Sequence, residues 1–157
     1  MRAIRVLGVD PGLTATGYAV VAGDGARPEV LAVGTIRTQA TVPVPDRLSA
    51  IHGKLAQLIA IYDPTGVAVE EVYLARNAPS AMATREVVGV VKLLAQGRRL
   101  YTFAPREVKK WICGSGSAPK DQVIHMVQSL VGARDLDSDH AADALAIAIC
   151  ALLERTG

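Results

Sequence analysis

The sequence predicts an α/β domain, built as a mixed five-stranded sheet in which an antiparallel meander joins parallel strands, flanked by helices. Two observations predict it. Residues 3–10, 14–22 and 29–37 are β-rich runs separated only by "DPG" and "GDGARP", turn signals too short for a crossover. From Asp46 onward, segments with helical spacing alternate with short apolar runs, so the later strands re-enter the sheet through helical crossovers and lie parallel. At 157 residues the chain fits a single domain over 1–157, given the usual allotment of about 100–200 residues.

The elements follow in order. Asp46 can cap a helix whose apolar positions Leu48, Ile51, Leu55, Leu58, Ile59 and Tyr62 keep helical period, with Pro64 just beyond its end. "GVAVEEV" is the next strand, and residues 79–96 form a helix closed by Gly97. "LYTFA" is a short strand, after which Pro105 opens a helix at the first-turn position that suits proline. Gly114-Ser115-Gly116-Ser117 is a loop. Pro119 starts a further helix with Ser117 as its cap and Val123, Met126, Val127 and Leu130 as its buried stripe. The last helix starts near Ser138.

Composition excludes several classes. Hydrophobic residues are 50% and charged ones 20%, with no biased tract, which fits an ordered globule rather than a disordered or fibrous chain. The apolar piece Ala144 to Leu153 is shorter than the roughly 20 residues a bilayer span needs. Met1 to Ile4 runs straight into strand-like sequence without a secretory signal, so a cytoplasmic location is expected. Cys113 and Cys150 lack paired motif spacing and read as reduced packing cysteines. A net charge of +2 is too mild to establish a polyanion partner. Arg98, Arg99, Arg106, Lys109, Lys110 and Lys120 nevertheless gather in one part of the chain, interleaved with Tyr101, Phe103 and Trp111; a solvated helix face is the plain alternative.

The chemistry lies in the acidic residues. Asp10 closes an apolar run, and an unpaired carboxylate removed from water costs several kcal/mol, so it must be protonated, paired or bound to a cation. In "VAVEEVY" strand alternation puts Glu70 and Glu71 on opposite faces, and Glu70 is favoured as the one facing a site. His140 and Asp143, three apart on a helix, are neighbours with Cβ atoms roughly 5–6 Å apart. Ala141, Ala142, Ala144 and Ala146 give that helix small sides, which permits close approach to the sheet and brings Asp143 toward Asp10. Asp139 reads as an acidic first-turn residue favoured by the helix dipole. Singly, Asp10 could be a turn residue, Glu70 the partner of a lysine and His140 a cap. Together they fit an oxygen-rich site for magnesium or manganese.

These residues sit in an ordered series: "LGVDPGLTATGYAVV", "GTIRT", "RL" at 47–48, "VAVEEVYLARNAPSA", "VKKWICGSGSAPKDQVIHMV" and "HAADALAIAI". The series resembles the RuvC family of bacterial Holliday-junction resolvases, of the ribonuclease H-like superfamily, nearly end to end. The resemblance implies a ribonuclease H-like fold and an endodeoxyribonuclease that makes symmetric paired nicks in four-way DNA junctions during recombination and repair. It implies Asp10, Glu70, His140 and Asp143 as the metal and catalytic residues, with two Mg²⁺ or Mn²⁺ ions per site roughly 3.5–4 Å apart. It further implies DNA-binding roles for Tyr73, Arg76, Lys109 and Lys120, a homodimer, and a branch-migration motor as partner. Tyr73 could instead be a core aromatic. Histidine stands at 140 where many relatives carry aspartate, and Glu86-Val87-Val88-Gly89 stands where relatives often show Gln-Ala-Arg-Gly. The helix at 79–96, with Val87, Val88, Val90, Val91 and the permissive Gly89, is the expected dimer interface. Two other readings share parts of the pattern: a ribonuclease H acting on RNA–DNA hybrids, and an actin-like nucleotide-binding domain suggested by "GVDPGLTATG".

Overall fold

Strand alternation sorts the sheet's side chains into two faces, and each face is covered by its own helices. The computed structural model describes residues 3–71, 79–132 and 136–156. In chain order these form β1 (Arg5–Asp10), β2 (Ala15–Ala22), β3 (Glu29–Arg37), α1 (Val44–Tyr62), β4 (Gly66–Glu70), α2 (Pro79–Leu94), β5 (Arg99–Phe103), α3 (Pro105–Cys113), α4 (Lys120–Val131) and α5 (Asp139–Thr156). The sheet order is β3-β2-β1-β4-β5. Pairs β1/β2 and β2/β3 are antiparallel, whereas β1/β4 and β4/β5 are parallel. The predicted meander plus parallel crossovers is therefore the observed architecture.

On one face Leu7, Val9, Val20, Val67 and Val69 pack with Ile51 and Leu55 of α1 and with Val87, Val88 and Val91 of α2. On the other, Val6, Ala19, Val21 and Ala68 pack with α5 and with Val108, Ile112, Val123 and Val127 of α3 and α4. Helix α5 is buried from Ala144 through Leu152 without a break, as expected of a helix that is apolar on all sides. Each large side chain so enclosed stabilises the fold by about 1.5–3 kcal/mol.

Several expectations need correction. Pro43, not Asp46, occupies the N-cap of α1, and Asp46 lies in its first turn. Pro119 is the N-cap of α4; Ser117 instead accepts or donates a 3.0 Å bond with Ser115 inside the loop. Met126 is exposed and Leu130 only half-buried, so the buried stripe of α4 is Val123 and Val127. Val87, Val88 and Val91 face α1 and the sheet, which removes them from any surface.

The basic cluster divides. Arg98 donates to the Asp63 carboxylate at 2.8 Å and to the Pro64 carbonyl, holding the left-handed residue that ends α1. Arg99 lies over the Tyr101 ring, 4.7 Å from its centroid. Arg99 opens β5 and Arg98 precedes it, at the opposite end of the sheet from Asp10 and Glu70. Tyr101 and Phe103 are core residues and Trp111 alone of the three aromatics is exposed. Cys113 and Cys150 are free thiols, as expected. Among the described residues no helix is long and apolar enough to cross a membrane.

Candidate active site

Three elements converge at one end of the sheet. Asp10 is the last residue of β1 and Glu70 the last of β4, one step beyond the parallel pair Val9↔Val69. Both have the parity of Val6 and Ala68, so both point to the α5 face, whereas Glu71 points the other way and takes Lys92 of α2 at 2.9 Å. The choice of Glu70 over Glu71 from alternation is thus the observed one.

The start of α5 closes the site. Ser138 caps it, its hydroxyl accepting from Ala141 N–H at 3.1 Å and its carbonyl from Ala142 N–H at 3.2 Å. His140 Nδ1 then stands 3.1 Å from Asp10 Oδ2. From α4, Lys120 Nζ lies 3.3 Å from Asp143 Oδ2 and 4.0 Å from Asp139 Oδ2. Asp143 is only 25% exposed, but Asp139 is 71% exposed, in keeping with a first-turn surface carboxylate.

The electrostatics reflect crowding. Burial, with the neighbouring Asp143 charge, raises the Asp10 carboxyl to about 6, against the lowering influence of His140 and Lys120. Burial, with Asp10 and Asp143, raises Glu70 to about 7, with Lys120 and Lys109 pulling the other way. Asp143 is also raised by burial, although Lys120 and His140 oppose it. Burial alone would lower the Lys120 ammonium, but Asp143, Asp139 and Asp10 push it above its ordinary value. Among the described residues, Lys120 contacts the acidic site and the charge of Lys109 acts on Glu70. Tyr73 and Arg76 lie outside the described residues.

Among the described residues no three His, Cys, Asp or Glu side chains already share one coordination sphere. His140 is turned onto Asp10, and Lys120 onto Asp143. The donor set still suits a hard divalent cation, because three carboxylates and one imidazole meet where added positive charge relieves their repulsion.

A carboxyl whose folded pKa is raised holds its proton more tightly in the folded than in the unfolded chain. Asp10 and Glu70 thus favour folding below about pH 4, and that contribution is lost as pH rises through their folded values of about 6 and about 7. We expect the metal-free protein to melt lower at about pH 8 than at about pH 5, and manganese or magnesium to narrow the gap. Equal melting temperatures in chelator at both pH values would contradict the crowding.

Two glycines that sequence reasoning passed over set this geometry. A β-carbon at Gly8 would lie 2.5 Å from the Ala144 carbonyl oxygen and 2.7 Å from Ala148 Cβ, and one at Gly17 would overlap the His140 carbonyl. Residues 140, 144 and 148 form one helical stripe resting on two bare backbone positions. The alanines announced close approach; the glycines that receive them carry no periodic signal.

A mixed sheet in the order 3-2-1-4-5, with carboxylates at the ends of β1 and β4 faced by the start of the last helix, defines an α/β domain of the ribonuclease H-like class. The family model described as crossover junction endodeoxyribonuclease RuvC matches residues 6–151. The chain belongs to the RuvC family. It is 42% identical over 148 residues to the crossover junction endodeoxyribonuclease RuvC of Treponema pallidum (strain Nichols), covering 92% of this chain and 75% of that one. It is 36% identical to the protein of that name from Natranaerobius thermophilus, with 92% of each covered. Among solved structures, T. thermophilus RuvC in complex with Holliday junction substrate superposes with a TM-score of 0.90 at 32% identity, covering 97% of this chain and 94% of that one.

Proposed function

We propose that the protein is a divalent-metal-dependent endonuclease that resolves four-way DNA junctions by paired symmetric nicks. The observation that carries this reading is the meeting of Asp10, Glu70, His140 and Asp143 at one end of the sheet, in a chain whose relative of TM-score 0.90 was solved on a Holliday junction. Asp10, Glu70, His140 and Asp143 are the residues that would hold the metal ions. Two such ions, magnesium or manganese, supply an activated water and charge stabilisation for the attacked phosphodiester.

The protein's own groups do the rest. Burial keeps Asp10 and Glu70 away from competing solvent, and the strand ends fix their separation. Lys109 and Lys120 offer positive charge to the DNA backbone beside the cut, Arg76 would share that role, and Tyr73 would stack on the DNA near the junction centre. Family resemblance adds 5′-phosphate and 3′-hydroxyl products, a branch-migration motor as partner and action in the cytoplasm. In the test, a four-way junction, a plain duplex and an RNA–DNA hybrid are incubated with the protein and either metal. We expect cleavage of the junction alone, with manganese at least as effective as magnesium because imidazole is the softer ligand. Preferential cutting of the hybrid would convert the reading to a ribonuclease H.

One site cuts one strand, so paired cuts call for a two-fold dimer. With Val87, Val88 and Val91 in the core, the surface that α2 offers a second copy is its exposed stripe of Met82, Gly89 and Leu93. Leu93→Glu should therefore yield a monomer by light scattering and single rather than paired nicks. A dimer unchanged by that substitution would move the interface elsewhere.

A further inference from the structure

The motif "GTIRT" has no part in the site as described, yet its Thr35 lies in a row that crosses three strands. Asp10 of β1 pairs with Gly17 of β2, and Gly17 pairs with Thr35 of β3. The chain from Asp137 to His140 runs over that row and touches each member in turn. Thr35 Oγ1 bonds Asp137 Oδ1 at 2.9 Å and Ser138 Oγ at 2.5 Å. Gly17 receives the His140 backbone, and Asp10 meets the His140 ring.

The directions of these bonds follow from counting protons. A hydroxyl has one proton, and that of Thr35 is given to the Asp137 carboxylate, so Ser138 donates to Thr35 Oγ1. Ser138 Oγ in turn accepts from Ala141 N–H. The result is a directed chain, Ala141 N–H to Ser138 to Thr35 to Asp137, in which each bond polarises the next. It ties the first turn of α5 to a strand 102 residues away in sequence.

We infer that Thr35 is a positioning residue, whose hydroxyl sets the first turn of α5 over the sheet and so fixes His140 and Asp143 relative to Asp10. This rests on the metal-site reading above and adds to it a residue whose hydroxyl bonds Asp137 and Ser138 instead of any of the four candidate ligands. Thr35 is half-buried on an outer strand, and valine there keeps the β-branched shape that strands favour, so the hydroxyl can be removed with little change to the fold.

The test compares wild type, Thr35→Val and Thr35→Ser without DNA, reading manganese affinity by calorimetry, melting temperature, and metal-free hydrogen exchange at Ala141 and Ala142. We expect Thr35→Val to bind manganese about tenfold more weakly, the scale of losing a bond behind a metal ligand, with faster exchange at both amides and an unchanged melting temperature. Thr35→Ser should restore both. Wild-type affinity in Thr35→Val overturns the inference while leaving the metal site standing. A wild type that binds no manganese overturns the metal-site reading, and the exchange rates then judge by themselves whether Thr35 holds the turn.

Discussion

Asp10→Asn should abolish junction cleavage while leaving junction binding intact, and should make the metal-free protein more stable. The first effect follows from its contact with His140 and the nearby charge of Asp143: asparagine keeps the shape but removes the charge that would hold a cation, at a cost on the order of 1,000-fold or more in rate. The second follows from the electrostatics. Burial and Asp143 raise the Asp10 carboxyl from 3.8 to about 6, so at neutral pH the folded chain carries a charge it holds less well than the unfolded chain does. At about 1.4 kcal/mol per unit, and with coupling to its neighbours shared among several groups, a neutral isostere should gain about 1–3 kcal/mol near pH 8. Urea unfolding in chelator measures the gain, and a gel shift with a nicking assay measures the rest. Unchanged cutting would remove Asp10 from the chemistry. Lost cutting without added stability would mean that the carboxylate is not crowded.

That crowding of Asp10 is the feature the sequence exposes best, because a charge inside an apolar strand stands out against its neighbours. Asp10, the choice of Glu70 over Glu71, and the pairing of His140 with Asp143 all follow from periods of two and of 3.6 residues, which are properties of the local chain. The errors share another cause. Val87, Val88 and Val91 look like an interface until α1 and the sheet are known to cover them. Arg98 and Arg99 look continuous with Lys109 until β5 is seen to carry them to opposite ends of the sheet. Tyr101 and Phe103 look interleaved with the basic cluster until they are seen to lie in the core on the α5 side. In each case the deciding contact is made with a segment distant in sequence, where local period is silent. The row from Asp10 through Gly17 to Thr35 is the extreme instance, since it exists only once three strands are in register.

Gly17→Ala should have the second large effect, because that row has no room above its middle member. The added methyl would overlap the His140 carbonyl and press on Ala141 N at 3.1 Å, all of it helix backbone that no rotamer change can move aside. The first turn of α5 must then lift, carrying His140 away from Asp10, or β2 must sink into the opposite core of Val20, Ile51 and Leu55. Close-packed interiors resist either movement, at about 3 kcal/mol for a forced methyl. Gly53→Ala in α1 is the matched control: nothing lies within 4 Å of a β-carbon there, and a helical glycine exchanged for alanine gains up to about 1 kcal/mol. We therefore expect Gly17→Ala to unfold at clearly lower urea and to cut junctions at least 100-fold more slowly, the scale of a catalytic group misplaced by about 1 Å. Gly53→Ala should be no less stable than wild type. Wild-type stability and cutting in Gly17→Ala would show that α5 does not rest on the backbone at Gly17, and the placement of His140 beside Asp10 would fall with it.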